Sequence, residues 1–395
     1  MAVAITMLVT VSTHAQDNSA LNPEYQALIN QLGNPSYQVR ERAHAKLVKV
    51  GMSARSELAA ALRSPDLEIR SRARRIFVDL MYEDFEQKLQ RFIDDVEGKQ
   101  EHDLPGWNLY QKRIGTTSED RKFFASMVRA ESKVLRAIET KKNLAELLQE
   151  RVKQLQPYGN YTPSGPRIPQ IQSIATVMLG ASELTPAERE TLVSPVYNLL
   201  NYSQIKSQII DKPDNDVGKR MTREWAEIAC QSRSKTLGLM LILNYGFEES
   251  GIKVAREMLS NKESFSTSEQ YAAICAARFG GVDEVELLIP LLNQQTLVHS
   301  WSTPQAGGKL IKTQLRDTVL IMLLHLTKQS PEDYGFKFSR PSPIYVYEVY
   351  SCGFTEDKNR EKAHAKWKTW WDESGKQWLE KAKAAKAAEK PAEPK

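Results

Sequence analysis

Apolar residues recur at three- and four-residue intervals along most of this 395-residue chain, a period that predicts helices. Val39, Ala43, Leu47 and Val50 form one stripe, and Ile69, Ala73, Phe77 and Leu80 form another. Each stripe leaves Arg, Lys and Glu on the opposite side of its helix. Between them, Ser53 to Arg63 predicts a shorter helix with Ala54, Leu58, Ala61 and Leu62 on one side. Leu144, Leu147, Leu148, Val152 and Leu155 predict a further helix, as do Leu315, Val319, Met322, Leu323 and Leu326. Helix starts are marked as well. Thr185-Pro186-Ala187-Glu188 has the form of a capping box with proline at the first helical position, and Ser266 with Glu269 has the form of another. Period-two alternation is nearly absent, so the expected fold class is all-α.

A repeat organises the first part of the chain. Asn34-Pro35, Val39, Arg40, Arg42, Ala43 and Leu47 recur thirty residues later as Ser64-Pro65, Ile69, Arg70, Arg72, Ala73 and Phe77. Asn34 and Ser64 are expected to be N-caps, with Pro35 and Pro65 in the first helical turn, where a missing amide donor costs nothing. A helix pair with one oily side cannot bury it alone, and stacking such pairs side by side is the economical solution. Over roughly residues 30–82 these features resemble the HEAT-repeat family, although a thirty-residue period is shorter than the usual forty or so. The resemblance implies an α-α superhelix, a solenoid of stacked helix pairs. Leu104-Pro105-Gly106-Trp107 and the segment from Thr327 to Phe336 are similar to linkers of the exported HEAT-domain proteins numerous in planctomycete bacteria. That likeness implies architecture and export, and no particular chemistry.

The expected organisation is N-terminal HEAT-like repeats over residues 22–97, a helical continuation over 104–156, a second helical-repeat region over 168–338, an extended segment and C-terminal helix over 339–378, and a low-complexity tail over 379–395. Trp367, Trp370, Trp371 and Trp378 fall near one face of that helix, as suits a cap on the open end of a stack. Three stretches interrupt the helical grammar. Pro157 to Pro169 reads as a boundary or long surface loop, Gln294 to Lys312 as a short hairpin or protruding loop, and Arg340 to Phe354 as an extended segment laid across helices. At the other end, Ala2 to Val11 is uncharged, and Thr13 and Ala15 match the small positions of a signal cleavage site. Residues 1–15 are therefore expected to be a signal peptide cleaved after Ala15, with export to the periplasm or beyond, despite an n-region without Lys or Arg.

Charge changes this picture little. The net charge is +5, but the last twenty residues hold six Lys against three Glu, which leaves the body nearly neutral. That weakens a nucleic-acid partner as a reading of composition. The longest uncharged apolar run after the leader, Leu237 to Leu243, is far too short to span a bilayer. Cys230, Cys275 and Cys352 are too few and too scattered for a disulfide framework or a zinc site, although one bridge is allowed. The six histidines are mutually remote. Gly307-Gly308-Lys309 has Thr303 in place of the first glycine of a phosphate loop and Leu310 in place of its magnesium-binding hydroxyl. Ser203 and Lys206 fit an acyl-serine pattern but have none of its companion motifs.

No cofactor, metal or catalytic residue is therefore implied. The expectation is a non-enzymatic scaffold that binds a protein partner, with Arg40, Arg42, Arg70, Arg72 and Trp301 as candidate contact residues. The arginines have a structural reading too, in which Arg40 and Arg70 satisfy carbonyls or an acidic partner between repeats while Arg42 and Arg72 solvate their helices. Trp301 is either an anchor in a protruding loop or a side chain buried beneath it. The alternatives are a HEAT-like array gripping a phosphate backbone and an enzyme whose site is assembled from distant residues.

Overall fold

Asn34-Pro35 and Ser64-Pro65 turn the chain before each helix instead of starting it. Asn34 Oδ1 accepts the Ser36 amide at 2.9 Å and Ser64 Oγ accepts the Asp66 amide at 3.2 Å, the side-chain turns that these residues favour ahead of a helix. The caps thus fall on Ser36 and Asp66, two residues later than the sequence pattern suggests, and Pro35 and Pro65 precede them. Asp66 accepts the amides of Glu68 and Ile69. Asn22-Pro23 behaves in the other way, with Asn22 capping Glu24 and Pro23 in the first turn.

The structure is a computed structural model describing residues 21–157, 161–162, 165–166, 168–211, 216–260 and 266–389. The expected leader over residues 1–15 lies outside the described residues. The chain divides into two compact units at residues 100 and 101.

The first unit comprises α1 (Pro23–Gln31), α2 (Tyr37–Val50), α3 (Arg55–Ala61) and α4 (Leu67–Asp94). α1 pairs with α2 and α3 with α4, and the pairs stack like on like, α1 against α3 and α2 against α4. Leu32, Ala43, Leu47, Leu58, Ala73 and Ile76 are fully buried between them. Each large aliphatic side chain so placed contributes about 1.5–3 kcal/mol, and the alanines let the helices approach. Ile76, not Phe77, takes the centre of the second stripe, and Phe77 packs at its margin.

The second unit comprises α5 (Trp107–Arg113), α6 (Ser118–Thr140), α7 (Leu144–Leu155), α8 (Ile171–Ala181), α9 (Pro186–Leu200), α10 (Ser203–Ile210), α11 (Asp216–Cys230), α12 (Lys235–Tyr245), α13 (Glu248–Ser260), α14 (Ser266–Cys275), α15 (Val285–Leu288), α16 (Leu315–Leu326), α17 (Asp357–Trp370) and α18 (Lys376–Glu389). Contacts follow two courses: α6 to α8, α11, α13 and α15, and α7 to α9, α12, α14 and α16. Residues 157–169 do not separate two bodies, because α6 and α7 pack on α8 and α9 across them. The Thr185 and Glu188 capping box forms as its sequence suggests. α8 and α16 are buried on nearly every side, as helices between two layers must be. Among the described residues three short antiparallel pairs complete the unit: β1 (Tyr161–Thr162) with β2 (Gly165–Pro166), β3 (Leu297–Ser302) with β4 (Leu310–Gln314), and β5 (Pro341–Ser342) with β6 (Val346–Tyr347). The segment from Gln294 to Lys312 is therefore largely a hairpin.

Buried carboxylates in this unit are each met by an arginine from elsewhere in the chain. Asp120 pairs with Arg220 at 2.5 Å, Glu131 with Arg151 at 2.5 Å, Glu284 with Arg256 at 2.5 Å and Asp317 with Arg360 at 2.9 Å. A buried carboxylate without such a partner is strongly destabilising, so these pairs fix which helices meet. At the C-terminal end Trp367 is buried and stacks with Trp371. A π-helical turn leads into α18, which carries helix to Glu389, into the stretch expected to be a tail. Leu379 is buried there, while Lys383 reaches Glu286 and Lys386 reaches Asp283, each at 2.6 Å.

All three cysteines are free and buried. Burial pushes the Cys352 thiol up to about 12 and holds Cys275 protonated as well. Among the described residues no helix is long and apolar enough to cross a membrane.

One polar chain, running from half-buried His299 to buried Gln270 and Thr318, makes stability depend on pH. His299 Nε2 lies 2.8 Å from Gln270 Oε1, and Gln270 Nε2 donates to Thr318 Oγ1 at 3.0 Å. Burial lowers the His299 pKa, and burial followed by Lys328 lowers that of His325. Below about pH 6.5 the unfolded chain therefore binds protons that the folded one refuses, so stability falls as pH falls through that value towards the folded-state pKa. Urea midpoints measured from pH 7.5 down to 5 are expected to decline, and to decline less steeply in His299→Gln. Equal slopes for the two proteins contradict the assignment.

Candidate interaction face

The repeated arginines point mostly inwards. Arg40 Nη1 donates to the carbonyls of Asn34 and Pro35 at 2.8 and 3.0 Å, and Arg70 Nη1 donates to that of Ser64 at 2.6 Å. In both repeats the first arginine thus ties its helix back to the preceding turn. Arg72 joins the two repeats, meeting Glu68 at 2.6 Å and Glu41 at 2.9 Å, while Arg40 Nε lies 3.2 Å from Glu68. The Arg72 guanidinium holds the Glu41 carboxyl below its usual range, and Glu68 and then Glu41 raise Arg72 in turn. Arg42 alone of the four is exposed.

Among the mostly polar residues that these helices present outwards, apolar ones recur in register. Tyr37 and Leu67 occupy the same repeat position and are 64% and 72% exposed; Val48 and Val78 occupy another and are 42% and 54% exposed. Val48 follows Tyr37 by eleven residues, as Val78 follows Leu67. Eleven residues are about three helical turns, so each pair lies along one line of its helix, off the stripe that buries Ala43 and Leu47 or Ala73 and Ile76. Tyr82, 49% exposed, extends the α4 line by one turn. Arg74 and Arg75, seven and eight residues after Leu67, stand between the apolar positions and are exposed. Among the described residues Arg42, Arg74 and Arg75 make no ion pair.

α2 and α4 are neighbours, and their exposed apolar residues stand among charged ones, the half-exposed Glu41 and Glu68 as well as Arg74 and Arg75. Such a surface is suited to contacts made by apolar burial and charge. The arginines drew attention in the sequence, whereas Tyr37, Val48, Leu67 and Val78 did not, because they lie off the core stripe. The signal that finds them is the thirty-residue register itself, which places apolar residues twice where a solvated helix face needs none.

Trp301 lies on β3 opposite Ile311. It is half-buried, with Phe338 edge-on at 6.3 Å and an indole N–H that is buried without an acceptor. Trp301 belongs to the second unit and the four arginines to the first. Comparisons with protein-family models, with curated proteins and with solved structures find no match to this chain.

Proposed function

We propose that this protein is an exported, non-enzymatic scaffold of HEAT-like helix pairs wound as a superhelix, and that it holds another protein on the outward face of α2 and α4. The observation that carries the proposal is the register-matched exposure of Tyr37, Leu67, Val48 and Val78. Large apolar side chains exposed at the same positions of successive repeats favour an interaction site, and the flanking arginines suit a partner that carries carboxylates. The two courses of helix contacts in the second unit support the solenoid reading, and the leader-like residues 1–15 support export. The phosphate-backbone alternative draws less support, since Arg40, Arg70 and Arg72 are engaged within the repeats.

The test is a variant pair. Leu67→Asp with Val78→Asp is expected to leave the melting temperature nearly unchanged, because both side chains are already in water, and to weaken binding of the native partner by about tenfold or more. A partner that binds the double variant as tightly as wild type overturns the assignment of this face.

A further inference from the structure

The second unit carries a different kind of site. An open groove of about 880 Å³ lies among the tip of the β3–β4 hairpin, residues 333–340 and the start of α17. Its walls are tied together. Lys312 and Phe354 exchange backbone hydrogen bonds of 2.9 and 3.1 Å, Lys309 Nζ reaches Glu356 at 3.0 Å, and Lys366 Nζ donates to the Asp333 carbonyl at 2.8 Å. Beneath, Arg360 holds Lys312 O at 2.7 Å and Asp317 at 2.9 Å. The groove is therefore shaped before any ligand arrives. Buried Tyr334 and Phe354 contribute to its lining.

Its chemistry is mixed in a particular way. Lys337, Arg340 and Lys362 line it and are exposed, with no ion pair among the described residues. Lys309 and Lys366 line it too, already engaged by Glu356 and by the Asp333 carbonyl. The Asp333 and Glu356 carboxylates stand on the same walls. A phosphate polyanion suits a wall of unbroken positive charge and has few donors to offer a carboxylate. A peptide chain with acidic side chains answers both features. Its carboxylates pair with lysine and arginine, while its amides donate to Asp333 and Glu356. The volume lies within the range of ligand-binding clefts.

We propose that this groove binds an acidic peptide segment in extended form, with Lys337, Arg340 and Lys362 pairing its carboxylates. The site is independent of the α2 and α4 face, and either can fail without the other. Lys309 sits at the hairpin tip, where a ligand carboxylate competes with Glu356 for its ammonium. Binding therefore weakens as salt screens these exposed charges.

The experiment is fluorescence anisotropy with a fluorescein-labelled hexaglutamate peptide and the full chain at an ionic strength of about 0.1 M, where the Debye length is about 10 Å. Wild type is expected to bind the peptide. Lys337→Glu with Lys362→Glu is expected to weaken it by about tenfold or more. Lys133→Glu with Lys153→Glu, which changes the net charge equally at exposed sites elsewhere in the same unit, is expected to leave affinity within about twofold of wild type, since distant exposed charges are screened. The proposal is overturned by absence of binding to wild type, by equal weakening in both charge-reversed proteins, or by an oligonucleotide that displaces the peptide more effectively than unlabelled hexaglutamate does.

Discussion

Replacement of Arg360 by alanine is expected to destabilise the second unit by about 3–5 kcal/mol, the cost of stranding a buried charge. Arg360 and Asp317 are 1% and 0% exposed, and the guanidinium donates to both Asp317 oxygens at 3.0 and 2.9 Å and to the Lys312 carbonyl at 2.7 Å. Asp317 has a second task, accepting the Gln314 amide at the start of α16 at 2.8 Å. Without Arg360 the carboxylate has neither water nor a strong cation, since His364 Nε2 approaches only to 3.3 Å. Arg360→Lys keeps the charge but loses the planar fork, and an intermediate loss is expected. Asp317→Asn added to Arg360→Ala restores part of the stability, because the stranded charge is then gone. The neighbouring Arg316 and Glu361 pair is a useful contrast: Glu361 is 59% exposed, so Glu361→Ala costs at most about 1 kcal/mol. Urea denaturation followed by tryptophan fluorescence reads all four. A loss in Arg360→Ala no larger than in Glu361→Ala contradicts this account.

Gly238→Ala is the second large effect, and here two forces oppose each other. In a helix interior the exchange gains about 1 kcal/mol of helix propensity. At Gly238, however, an added Cβ meets the Cys230 amide nitrogen at 2.6 Å and the Ala226 carbonyl at 2.7 Å. Both are backbone atoms of α11, so no rotamer change relieves the clash and the two helices must separate. Overpacking of this kind costs about 1–3 kcal/mol, and with both obstacles in the main chain the upper end is expected after the propensity gain is offset. Gly246→Ala is the control. Its Cβ meets nothing within 4 Å, but its φ of +70° disfavours any side chain, so it is expected to cost about 1 kcal/mol through strain alone. A Gly238→Ala protein as stable as wild type contradicts the close approach of α11 and α12.

Much of the helical architecture was legible because period and caps are local. The stripes through Leu47, Leu58, Leu148 and Leu323 and the Thr185 box lie on helices where their spacing places them. The starts of α2 and α4 were misplaced by two residues because an Asn-Pro or Ser-Pro pair serves either as a cap or as a turn. Whether Ile76 or Phe77 faces inwards depends on the neighbouring helix, which no window along one helix contains. The stretch after residue 378 resembled a tail in composition, yet Lys383 and Lys386 find carboxylates 97 and 103 residues away. The candidate face was legible only in part, since Arg40, Arg70 and Arg72 were conspicuous for a repeat but serve it internally. The groove was not legible at all, because its walls come from three segments that meet only after folding.

The outward face of α2 and α4 is the centre of this account, and site-specific photocrosslinking in the native cell tests it most directly. A photoreactive residue placed in turn at Tyr37, Leu67 and Val78 is expected to capture the same protein at all three positions. The same residue at Lys88 or Gln90, exposed further along α4, is expected to capture little of it. Capture at Lys88 and Gln90 equal to that at Leu67, or no adduct at any of the three, contradicts the claim.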